Sequence, residues 1–120
     1  MADRLLFIGW GTPVRGREER ALEVFNESMG VYGRMQQDGR IESFGVTLLS
    51  ANALLNGYAE LRGTAAQMAA LQEDDEFIRI TAAASLIVEN FNVISGYANE
   101  GVATQMGVYA EAISKVPQLA

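Results

Sequence analysis

Arg4-Leu5-Leu6-Phe7-Ile8-Gly9-Trp10 is a run without a polar side. In an extended chain successive side chains point to opposite faces, so Leu5, Phe7 and Gly9 project one way and Leu6, Ile8 and Trp10 the other. An open antiparallel sheet normally has one wet face. A strand that is apolar front and back therefore predicts cover on both sides. Gly11-Thr12-Pro13 ends the run, and from about Arg17 to Gln37 the residues Leu22, Phe25, Met29 and Tyr32 form one helical stripe. Glu18 and Glu19 suit the positive N-terminal end of that helix. Gly30 and Gly33 lie inside it at about 1 kcal/mol each relative to Ala, which predicts close approach of another backbone there.

Asp38-Gly39 stops the helix, and Ile41 to Leu49 reads as a second strand with Phe44, Val46 and Leu48 on one side. Past the small polar break at Ser50 to Asn52, Asn56-Gly57 leads into a third strand, Tyr58 to Arg62. Ala59 and Leu61 share one side of it, and Tyr58, Glu60 and Arg62 share the other. Thr64-Ala65-Ala66-Gln67 has the form of a capping box and opens a second helical region. That region breaks near Glu73-Asp74-Asp75-Glu76 and resumes with Phe77, Ile80 and Ala84. Leu86 to Val88 fits helix or strand. Phe91 to Tyr97 is a fourth strand, in which Phe91, Val93, Ser95 and Tyr97 alternate with Asn92, Ile94 and Gly96. A terminal helix from about Val102 to Val116 carries Val102, Met106, Tyr109, Ile113 and Val116 on one stripe and stops at Pro117.

The order strand, helix, strand, strand, helix, strand is the split βαβ, ferredoxin-like arrangement of the α+β class. The 120 residues supply one core, so residues 1–120 read as a single ferredoxin-like domain with an extra C-terminal helix. Helices cover one side of such a sheet. Large apolar side chains left on the other forgo about 1.5–3 kcal/mol each, so a second copy of the same sheet is the simplest cover, giving a homodimer through the sheet face.

Composition narrows the chemistry. Nine basic against 15 acidic residues give a net charge of −6, which opposes binding to nucleic acid or to an anionic membrane surface. The absence of Cys excludes disulfides and thiolate chemistry, and the absence of His removes the commonest metal ligand and general base. The run Glu73 to Glu76 lacks the ligand spacing of a calcium loop and reads as a solvated turn; no metal and no cofactor is expected. Leu5 to Trp10 is too brief for a signal peptide, and no stretch approaches the roughly 20 apolar residues of a membrane span, so a cytoplasmic location is the expectation.

Candidate site residues follow from side and spacing. Glu60 and Arg62 project together beside Tyr58, where a carboxylate can move a proton and a guanidinium can bind an enolate or carboxylate; a same-face ion pair is the competing reading. Trp10 and Tyr97 end apolar strands and are candidates to line a cleft for a flat ligand, against ordinary packing. Asn92, with Asn90 nearby, is a candidate to orient an oxygenated ligand, against edge-strand hydrogen bonding. Gly9 to Arg17 lies between strand and helix but lacks a nucleotide fingerprint, with Val14 where a dinucleotide loop needs Gly and Arg17-Glu18 where a triphosphate loop needs Lys-Ser/Thr.

Through Leu5 to Trp10, Ile41 to Leu49, Asn56-Gly57-Tyr58 to Arg62-Gly63 and Glu89 to Gly96, nearly the whole chain resembles the dimeric α+β barrel superfamily, in which two ferredoxin-like protomers pack sheet against sheet. The superfamily includes YCII-related proteins, small cofactor-free monooxygenases, haem-degrading enzymes, muconolactone isomerases and stress-responsive barrel proteins. The His and Asp pair of YCII-related proteins and the His ligand of haem-degrading members have no counterpart in a chain without His. The resemblance implies a small organic ligand, cyclic or aromatic, and an isomerase-like or cofactor-independent oxygenase reaction with Glu60 as acid/base and Arg62 as charge stabiliser. The alternative is a non-catalytic homodimeric scaffold with a filled barrel.

Overall fold

The two-sided apolar run becomes β1 (Arg4–Trp10), an inner strand of a four-stranded sheet in a computed structural model that describes residues 2–119. It is followed by α1 (Glu18–Gln37), β2 (Ser43–Leu48), β3 (Gly57–Gly63), α2 (Ala65–Leu71), α3 (Asp75–Ser85), β4 (Asn92–Tyr97) and α4 (Glu100–Ser114). The strand order is β2-β3-β1-β4, and every neighbouring pair is antiparallel. The protein is α+β with the ferredoxin-like topology. No helix among the described residues is long and apolar enough to cross a membrane.

Register sorts the sheet into a core side and an open side. Leu6 lies opposite Leu61 and Ser95, Ile8 opposite Ala59 and Val93, and Phe44 opposite Leu61. Leu6, Ile8, Ala59 and Leu61 are buried and join α1, α2 and α3 in one core with Met35, Ile41, Met68, Leu71 and Phe77. The other side carries Leu5, Phe7, Tyr58, Glu60, Arg62 and Ile94 in alternation with them. There Phe7 stacks on Tyr58 at 5.1 Å between ring centroids, and Ile94 is 54% exposed.

Some expectations need correction. The buried face of α1 is Ala21, Val24, Ser28, Val31, Tyr32 and Met35, one residue round from the expected stripe, and Leu22 is 64% exposed. Small Ala21 and Ser28 face inward, and Phe25 and Met29 line a cavity beside them. Gly30 and Gly33 admit no close backbone: a Cβ on Gly33 meets nothing within 4 Å, and one on Gly30 meets only the Arg34 guanidinium at 3.6 Å. Gly33→Ala is therefore expected to stabilise the fold by about 1 kcal/mol, read as a higher urea midpoint with unchanged slope.

The acidic run is not a merely solvated turn. Asp74 is the N-cap of α3, accepting from the Phe77 N–H at 3.1 Å, and both Asp74 and Glu76 bind Arg40. The capping box forms as expected: Thr64 accepts from the Gln67 N–H at 3.1 Å, and Gln67 accepts in return from the Thr64 N–H at 2.8 Å. Leu86 to Val88 belongs to neither a helix nor a regular strand. Its region pairs with the loop after β1, where Gly11 N–H donates to Glu89 O at 2.7 Å and Val14 N–H to Ile87 O at 2.8 Å.

Candidate functional site

Two concave regions lie on opposite sides of the sheet. On the core side, the end of β1 at Trp10, the first half of α1, the β2–β3 loop and residues 84–91 enclose a cavity of about 440 Å³, within the size range of ligand sites. Trp10, Phe25, Tyr32 and Phe91 supply aromatic walls, and Trp10 meets Phe25 edge-on at 6.0 Å. Exposed Leu48 and Leu22 also line it.

Polar groups in this cavity are few. Tyr32 is buried, and burial pushes its phenol up to about 12, with the Ser28 hydrogen bond opposing the rise. It is therefore an uncharged phenol across the physiological range. Ser28 Oγ donates to Val24 O at 2.7 Å. Asn56 places its backbone N–H on Trp10 O at 2.7 Å, while its side-chain Oδ1 is buried without a hydrogen-bond partner. A buried acceptor left unpaired costs about 1–3 kcal/mol, so Oδ1 asks for a donor. Glu18 also lines the cavity and accepts from the Gly16 N–H at 2.9 Å. This lining suits retention of a largely apolar ring system.

The open side holds the second region, a groove of about 360 Å³ over β2 and β3, lined by Thr47, Tyr58, Glu60 and Arg62 around Gly45. Gly45 lies opposite Glu60, and a Cβ there would meet nothing, so the groove is open at that point. Arg62 Nη2 donates to Glu60 Oε2 at 2.8 Å, and both side chains are partly exposed. Each satisfies the other.

The sequence-predicted residues thus divide. Tyr58, Glu60 and Arg62 come together on the open side. Asn92 shares that side, in register with Gly9 and through it with Tyr58, but sits on the β4 edge with its Nδ2 donating to Asn90 O at 3.0 Å. Trp10 and Tyr97 lie on the opposite side, at opposite ends of β1. Trp10 lines the cavity, whereas Tyr97 lies under the Arg4 guanidinium, 4.5 Å from its ring centroid. The loop Gly9 to Arg17 offers no anion cradle: the amides of Gly11, Val14, Gly16 and Arg17 are occupied by Glu89 O, Ile87 O, the Glu18 carboxylate and Val14 O. Phe25, Tyr32, Phe91 and Asn56 are among the cavity residues that sequence reasoning did not single out as ligand contacts. Asn56-Gly57 carries a turn signal, and Tyr32 reads as one more core position.

No family model and no curated protein sequence matches the chain. Among solved structures it is similar to a dimeric protein of unknown function and ferredoxin-like fold from Bacteroides fragilis, with TM-score 0.60 and 11% identity over 79% of this chain and 96% of that one. It is also similar to SnoaB, a cofactor-independent oxygenase from Streptomyces nogalater, with TM-score 0.49 and 17% identity over 82% of this chain and 93% of that one. The first likeness shows the ferredoxin-like fold.

Proposed function

We propose that the protein binds a small cyclic or aromatic metabolite in the cavity between α1 and the sheet, and that it does so as a homodimer with the open sheet faces apposed. One observation carries the binding reading: an aromatic-walled space of about 440 Å³ lined by Trp10, Phe25, Tyr32 and Phe91. The ligand is largely apolar and packs against the aromatic walls. The dimer is supported by Leu5, Phe7 and Ile94 on the open face and by the dimeric state of the Bacteroides fragilis neighbour.

Trp10 is the only tryptophan, so its emission reports the cavity directly. Titration with 1-naphthol is expected to quench it saturably, and native mass spectrometry of protein purified from its own host is expected to find a retained small molecule. Phe25→Ala removes part of the aromatic wall; it is expected to keep the wild-type far-UV circular dichroism while weakening 1-naphthol by about tenfold. Unquenched Trp10 emission, or equal affinity in both proteins, would overturn the reading.

A catalytic reading rests on the groove beside Gly45, with Glu60 as acid/base and Arg62 as charge stabiliser for an isomerase-like or cofactor-independent oxygenase step. It requires turnover of a bound molecule to fall in Glu60→Gln. Full turnover in that variant removes the carboxylate from the chemistry.

A further inference from the structure

The C-terminal helix is held only at its start, where Asn99 Nδ2 donates to Ala2 O. Only Gly101 of α4 is buried, seated on the Asp3 carbonyl so closely that a Cβ would lie 2.2 Å from the oxygen. From Val102 to Leu119 every residue is exposed. Yet α4 is not a polar helix. Met106, Val108 and Tyr109 are all more than half exposed, and Val102 and Ile113 nearly so. At 3.6 residues per turn, Val102, Met106, Tyr109 and Ile113 make one stripe, continued by Val116 beyond the helix end. An isolated helix of 15 residues is marginal in water, so this one requires a surface to lie on.

Size says how much cover is missing. The accessible surface is 7642 Å², about 1,300 Å² more than a compact monomer of 13.0 kDa exposes. The radius of gyration is 16.9 Å, where about 14 Å is expected for this length. A standard protein interface buries about 800 Å² per partner, so the excess exceeds what one stable dimer face needs. The open sheet side adds exposed Ile94 beside partly exposed Leu5 and Phe7. A second copy brings both surfaces at once and closes on itself under two-fold symmetry, each arm reaching the other protomer. The acidic balance of the chain, with Glu100 and Glu111 against Lys115 on the arm itself, argues against an anionic bilayer as the occupant.

We infer that α4 is a dimerisation arm whose Val102, Met106, Tyr109 and Ile113 stripe docks on a second copy of this chain. The inference deepens the homodimer of the proposed function and rests on it. Because these side chains touch little of their own protomer, charges placed on them leave the monomer fold intact. That makes the test clean.

The experiment is sedimentation velocity of the full chain over a dilution series, paired with hydrogen exchange of the α4 amides. Wild type is expected at twice the 13.0 kDa chain mass, with α4 protected in the dimer and unprotected on dilution. Met106→Glu/Ile113→Glu is expected to keep the wild-type far-UV circular dichroism of the monomer and to raise the dimer dissociation constant about a hundredfold or more. Ile94→Lys probes the sheet face separately. A dimer that Ile94→Lys dissociates but Met106→Glu/Ile113→Glu leaves unchanged, with α4 exchanging freely in wild type, would overturn the arm and keep the sheet interface. A wild-type chain that stays monomeric at every concentration would overturn both, and open-ended larger species would overturn the closed two-fold exchange.

Discussion

Leu61→Ala is expected to lower the free energy of unfolding by about 2–5 kcal/mol, measured as a fall in the urea midpoint at constant slope. Leu61 is 0% exposed and lies on the core side of β3, directly opposite Leu6 on β1 and Phe44 on β2. Around it stand Ala59 and Met35, also fully buried. Removing three carbons there leaves a void bounded by two strands and the helices above, and strands locked by ladder hydrogen bonds on both sides cannot close inward to fill it. The matched control is Leu48→Ala. Leu48 has the same side chain on a neighbouring strand, opposite Gly57, but is 69% exposed, so its loss is expected to cost about 0.5 kcal/mol or less. The pair also tests register. A one-residue slip of β3 would turn Leu61 outward and bring Glu60 and Arg62 into the core. Equal costs for the two substitutions would therefore contradict the pairing on which the cavity and the open face both depend.

Much of this architecture was legible because strand alternation is a local signal. Residues 4–10 and 58–62 each reveal two sides without outside information, and the capping box at Thr64 and the terminal stripe are also contained within a few turns of chain. The candidate site was harder to read. Alternation says that Trp10 and Phe7 face opposite ways on β1 and that Tyr58 and Ala59 do so on β3. It does not say that Gly9, rather than Trp10, sits across from Tyr58. That single step of register puts Trp10 and Tyr58 on opposite sides of the sheet, in two different concave regions. The α1 stripe is turned by one position: Leu22 is larger and more apolar than Ala21, yet Ala21 is buried and Leu22 ends at the exposed cavity rim. The acidic run was misread because its cationic partners, Arg34 and Arg40, lie more than thirty residues away. Charge patterning within a window cannot see them.

Those cations lead to the second large expected effect. Arg40→Ala is expected to destabilise the protein by about 1–3 kcal/mol at neutral pH, because charge-assisted hydrogen bonds to several partners are lost together. The Arg40 guanidinium lies 2.9 Å from Asp38, 3.1 Å from Asp74 and 3.0 Å from Glu76. Asp38 is the C-cap of α1, Asp74 the N-cap of α3, and Glu76 stands in the first turn of α3, where Arg34 also reaches it at 2.7 Å. One side chain therefore ties the end of α1 to the start of α3. An isolated exposed pair would contribute about 0–1 kcal/mol, and the partial burial of Arg40 and Asp74 together with the three-way convergence places this cluster above that range.

The acid dependence has a definite sign. Hydrogen bonding from Arg40 holds the Asp38 carboxyl below its ordinary value, and Arg34, then Arg40, do the same for Glu76. Burial alone would raise Asp74, but the Phe77 N–H and Arg40 outweigh it and leave it lowered as well. Carboxylates depressed in the folded state bind fewer protons there than in the unfolded chain. Their stabilisation is complete above the unfolded values, about 4 for Asp and Glu, and is lost as pH falls through the lower folded ones. Urea midpoints of the wild type should therefore hold near neutrality and decline below about pH 5, whereas Arg40→Ala should start lower and decline less steeply. Parallel acid profiles for the two proteins would mean that Arg40 does not set these carboxyls, and the link between α1 and α3 would then rest on apolar packing alone.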